Sequence, residues 1–217
     1  MRLISGEAIH TYNIMSIVWL CIGLMIFTSM ALWFYHRQNT KGTLGGPISR
    51  PKTFWLFWAM FYYFFLSAWI FFILPACHLT YLLKLFIMTM VLRAIIQPIM
   101  LYVTKSWTPF YGISFNLIVG LGVSLCLVHY FYTGMGRSAS DWVFITYLTG
   151  VALALFTDSY YAYVFHRIVG EGTKGNHAVW YASPHNPGFN RINKITTYLN
   201  FIFFIVLLFL LFQIFLI

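Results

Sequence analysis

Residues 198–217 read YLNFIFFIVLLFLLFQIFLI, an apolar run without a single charged side chain. A helix needs about 20 predominantly apolar residues to cross a hydrocarbon core of about 30 Å, and this run meets that length. Its apolar positions are continuous, whereas a membrane-barrel strand alternates and is about half as long. The stretch therefore predicts a transmembrane helix. Five more predominantly apolar stretches of comparable length lie N-terminal to it, at 142–165, 112–133, 79–104, 54–74 and 14–35.

Together they predict an all-α, polytopic helical transmembrane bundle of six spans. One integral membrane domain covers 1–217, with a polar loop at 166–197. Composition agrees: 61% hydrophobic, 21% aromatic and 8% charged residues leave too little polar surface for a soluble domain. The first apolar run follows a polar stretch containing Glu7 and His10 and has only Arg2 before it. It also outruns a signal-peptide core, so it is expected to stay in the protein.

Charge orients the bundle. Arg37, Lys41, Arg50 and Lys52 follow the first span, Lys105 follows the third, and Arg167, Lys174, Arg191 and Lys194 follow the fifth. The opposite loops hold Arg2 and Arg137. Basic loops stay on the cytoplasmic side, which predicts both termini outside and the 166–197 loop on the cytoplasmic or matrix face. A formal charge of +9 carried this way forms no basic helix or folded patch for nucleic acid. Anionic membrane lipids are the expected counterions.

Other features are plainer. Cys21, Cys77 and Cys126 lack CxxC spacing and read as free thiols. Gly42, Gly45, Gly46, Pro47 and Pro51 predict irregular chain between the first two spans, and Pro98 predicts a kink in the third. The runs Trp55, Trp58, Tyr62, Tyr63 and Tyr160, Tyr161, Tyr163 read as interfacial belt and bundle packing.

Two charged residues fall within spans at comparable depth: Arg93 in the third and Asp158 in the fifth. Charge inside a bilayer is costly, so the two are expected to form an intramembrane ion pair, with Gln97 one turn from Arg93. Such a pair either fixes packing or lines a proton, ion or substrate path, as in a small transporter or channel.

The richest polar segment runs from Asp158 through Tyr160, Tyr161, Tyr163, His166, Arg167 and Glu171 to His177, Ser183, Pro184 and His185. His166, His177 and His185 are candidate ligands for one iron or zinc ion, and Glu171 is a candidate ligand or base. The same residue types also suit contacts to lipid phosphates and neighbouring subunits.

At 158–190 the chain resembles the fatty acid hydroxylase superfamily, membrane enzymes that oxidise lipids at a histidine-bound di-iron centre. His166 and Arg167 match the start of the family's first His-Arg-x-x-His motif, Glu171 the residue after it, and His177 the start of His-x-x-His-His. Gly170, Trp180 and Tyr181 stand where further histidines belong. The resemblance implies a metal-dependent lipid oxidoreductase with His166, Glu171 and His177 as catalytic candidates. The residues by themselves point first to a non-catalytic or accessory subunit of a membrane complex, in contact with lipids and other membrane subunits.

Overall fold

The computed structural model describes residues 6–41, 48–74, 79–104, 109–133, 139–169 and 189–216. All of its regular elements are helical. In chain order they are α1 (Gly6–Lys41), α2 (Arg50–Met60), a π-helical segment (Phe61–Leu66), α3 (Ser67–Ile73), α4 (Leu79–Pro98), a second π-helical segment (Ile99–Val103), α5 (Pro109–Tyr132), α6 (Ala139–Val169) and α7 (Phe189–Leu216). Among the described residues, six helical stretches are long and apolar enough to cross a membrane: Met15–Thr40, Arg50–Ile73, Leu79–Gln97, Phe110–Tyr132, Asp141–Arg167 and Asn190–Gln213.

α6 is the central helix. Its most apolar window is 67% buried, against 17% for α1, and it packs on α5, on α7 and on α4. α7 in turn packs on α2, and α2 on α1. The core between them is built from large side chains, with Tyr62, Leu66, Phe144, Tyr147, Leu155, Leu199 and Phe203 all essentially inaccessible. Gly150 of α6 lets this layer close. A Cβ there would lie 2.7 and 2.8 Å from the Val206 methyls and collide with the Tyr62 hydroxyl.

The outer surface is apolar as well. Met25, Leu85, Met88, Ile118, Leu125 and Phe209 are all more than half exposed. In water such a surface would aggregate, whereas hydrocarbon solvates it without penalty.

Several boundaries differ from the sequence reading. α1 continues to Lys41 and α2 begins at Arg50, so helix reaches further than expected from both sides; Gly42, Gly45, Gly46 and Pro47, where irregular chain was expected, lie outside the described residues. Ser49 caps α2 by accepting the Lys52 N–H (3.4 Å), and Pro51 sits in the first turn, where its missing N–H leaves no vacancy. α7 begins at Phe189, so Asn190, Arg191, Asn193 and Lys194 are helical and the polar loop ends well before 197. At Pro98 the α-helix passes into the second π-helical segment, so the break expected at this proline is a change of helical register.

Candidate functional site

The polar heart of the bundle forms around Asp158, on the buried face of α6. One carboxylate oxygen accepts the indole N–H of Trp55 (3.0 Å), and the other accepts the hydroxyl of Tyr63 (3.1 Å). α2 supplies Trp55 and the first π-helical segment supplies Tyr63, so the carboxylate ties both to α6. Asp158 lies nine residues before Arg167, about 13 Å below the end of the candidate span.

The π-helical turn carries the network outward. The carbonyls of Tyr62 and Tyr63 in this segment accept side-chain hydroxyls. Tyr147 donates to the Tyr62 carbonyl (2.8 Å), Ser67 donates to the Tyr63 carbonyl (2.7 Å), and the two hydroxyls adjoin each other. Each buried polar atom of this cluster thus gains a protein partner where water is absent.

Arg93 is satisfied differently from the expectation. Its guanidinium donates to the side-chain oxygen of the buried Asn116 on α5 and lies over the Phe115 ring, 4.8 Å from its centroid. Arg93 and Asp158 are near enough to attract each other electrostatically, but they make no direct bond. The expected ion pair is replaced by two hydrogen-bonded groups with neutral partners. The physical reason is local: neutral Trp, Tyr and Asn side chains lie within reach on adjacent helices and satisfy each charge in place.

Nearer the helix ends, Lys52 is buried in the first turn of α2. Its ammonium lies 4.3 Å from the centroid of Phe165 and 5.5 Å from that of Tyr161. Around it runs an exposed basic rim braced by aromatic rings. Arg37 stacks over Trp33 (5.0 Å) and Arg50 over Tyr35 (5.6 Å). Arg167 donates to the Tyr163 hydroxyl (3.3 Å), and Arg191 donates to that of Tyr160 (2.8 Å). Ser49 donates to Asn193 (2.6 Å) and Asn200 to the Pro51 carbonyl (2.9 Å), which fixes the starts of α2 and α7 side by side at this end.

Of the metal and catalytic candidates, His166 is exposed near the end of α6, and Glu171, His177 and His185 lie outside the described residues. Among the described residues, no group of three or more His, Cys, Asp or Glu side chains comes together. Cys21 and Cys126 are free and exposed, and Cys77 lies outside the described residues.

The sequence shows Lys52 only as a loop charge and gives no sign of the role of Asn116. Trp and Tyr were visible only as belt residues, although a buried indole N–H or phenol O–H requires a partner and Asp158 was the acidic group within the spans. Comparison with protein families, curated proteins and solved structures finds no match to this chain.

Proposed function

We propose that the chain is a multi-pass integral membrane protein serving as a non-catalytic, accessory subunit of a membrane complex. Both termini lie on the outer face, and the basic rim lies at the cytoplasmic-side headgroups. The observation that carries this reading is the closure of Asp158 by Trp55 and Tyr63. A carboxylate whose two oxygens are both held by donors from the same bundle fixes helix packing. A group that handles substrate would keep an oxygen open.

α1 supports the subunit role. It is 36 residues long, yet its exposed side carries Met15, Trp19, Met25, Ile26, Leu32 and Trp33 along its length. That bulky apolar face is suited to a neighbouring transmembrane helix as well as to lipid.

The test is extraction of the native membrane into lipid particles without detergent, with photo-crosslinking residues placed at Trp19 and Trp33. A fixed set of crosslinked membrane partners is expected. A solitary monomer with no crosslinked partner at either position overturns the reading.

A further inference from the structure

Arg167 and Arg191 come from different helices, and each donates to one of two tyrosines one turn apart. Tyr160 and Tyr163 are i, i+3 neighbours on α6, so their side chains lie on one face about 5–6 Å apart at Cβ. Tyr163 holds Arg167 from its own helix, and Tyr160 holds Arg191 across the seam from α7. Both tyrosines and both arginines are exposed.

Each guanidinium spends one donor on a phenol and keeps the rest of its fork. Each phenol oxygen, acting as acceptor, keeps its own proton to donate. Two Arg–Tyr pairs on neighbouring turns of α6 therefore present free donors, the kind that phosphate oxygens accept. Among the described residues the acidic side chains with defined surroundings are Asp141 and Asp158, both buried in the bundle.

Below the pair, α7 continues the same face. Arg191 and Lys194 are followed along the helix by Tyr198, Phe201, Ile205 and Leu208, all exposed, at alternating spacings of three and four. A cationic head leading into an apolar stripe has the polarity of a phospholipid laid along the helix.

We infer that the α6–α7 seam is a binding site for one anionic glycerophospholipid, its phosphate held by Arg167, Arg191, Tyr160 and Tyr163 and an acyl chain lying on the α7 stripe. The inference rests on the membrane reading above. Its occupant is set by charge: two guanidiniums and Lys194 select a net-negative headgroup over a zwitterionic one.

The test is full-length protein in nanodiscs of mixed phosphatidylglycerol and phosphatidylcholine, with retained lipid read by native mass spectrometry. Wild type is expected to retain phosphatidylglycerol selectively. The double variant R167Q/R191Q is expected to lose that preference by roughly ten- to thirtyfold. R37Q/R50Q, which removes equal charge from the rim elsewhere, is expected to keep it, and Y160F/Y163F, which keeps all charge, to weaken it. Equal loss in both arginine doubles, or no effect of Y160F/Y163F, overturns the site. Displacement of the lipid by inorganic phosphate overturns the lipid as its occupant, and a polypeptide crosslinked at Tyr198 overturns it in favour of a partner helix. Extraction of wild type from membranes by alkaline carbonate overturns the membrane reading and the site together. Retention in carbonate-washed membranes with no lipid preference overturns the site alone.

Discussion

The hydroxyl of Tyr63, in a π-helical turn, donates to the carboxylate of Asp158 on α6 at 3.1 Å, across 95 residues of chain. A bond to a charged acceptor contributes about 1.5–3 kcal/mol. Tyr63→Phe is therefore expected to lower stability by about that amount, measured as the unfolding midpoint in a mixed-micelle titration. Trp55→Phe should do the same from the other oxygen. A midpoint unchanged in both variants would show that the carboxylate does not hold the helices.

Asp158→Asn separates packing from transport. The amide keeps the shape but turns one acceptor oxygen into a donor facing a donor. Instability on the scale of Tyr63→Phe is expected, with ion and proton flux into proteoliposomes no different from wild type. Flux present in wild type and lost in a stably folded Asp158→Asn protein would instead establish a conduction path.

Arg93 and Asn116 make a second test. Asn116→Leu leaves the guanidinium without its acceptor and is expected to destabilise by about 1–3 kcal/mol. Adding Arg93→Met should recover most of that loss, since the unpaired charge is then gone. A double variant no more stable than Asn116→Leu alone would refute this account of the contact.

Two helical glycines differ in what surrounds them. A Cβ at Gly150 would lie 2.7 Å from Val206, whereas one at Gly122 would meet nothing within 4 Å. Gly150→Ala is expected to cost about 1–3 kcal/mol through overpacking. Gly122→Ala should be neutral or stabilising by up to about 1 kcal/mol through helix propensity. Similar midpoints for the two would contradict the close approach of α6 to α7.

The hydroxylase resemblance makes its own measurable claim. On the accessory-subunit reading, iron and zinc content of purified protein is expected to be the same in wild type and in the His166→Ala, His177→Ala double variant. A stoichiometric metal lost in the double variant would move the protein to the metal-dependent class.

The six helices were legible because hydrocarbon thickness imposes a run length that residues such as 198–217 display directly. Their ends were less legible. Asn190 to Lys194 read as loop by polarity, yet a helix that projects beyond the hydrocarbon keeps its backbone bonds and gains side-chain contacts such as Ser49 to Asn193. Pro51 read as a breaker although it occupies a first-turn position that tolerates it. Asp158 and Arg93 were recognisable as costly charges, but their partners were not. Periodicity shows which face is buried, not whether a neutral indole, phenol or amide on another helix lies nearer than the opposite charge.

The first turns of α2 are completed only by residues made much later. Trp55 waits 103 residues for Asp158, and Ser49 waits 144 for Asn193. At about 5–20 residues per second, the first of these intervals spans roughly 5–20 s of synthesis. During that time the buried Lys52 and Tyr63 and the half-buried Trp55 of the second span have no α6 to close on. On the membrane reading proposed above, the second span must therefore be sheltered as it is inserted, and the bundle can lock only after α6 and α7 arrive. Chains ended before residue 158 should accordingly be the ones that membrane quality control removes.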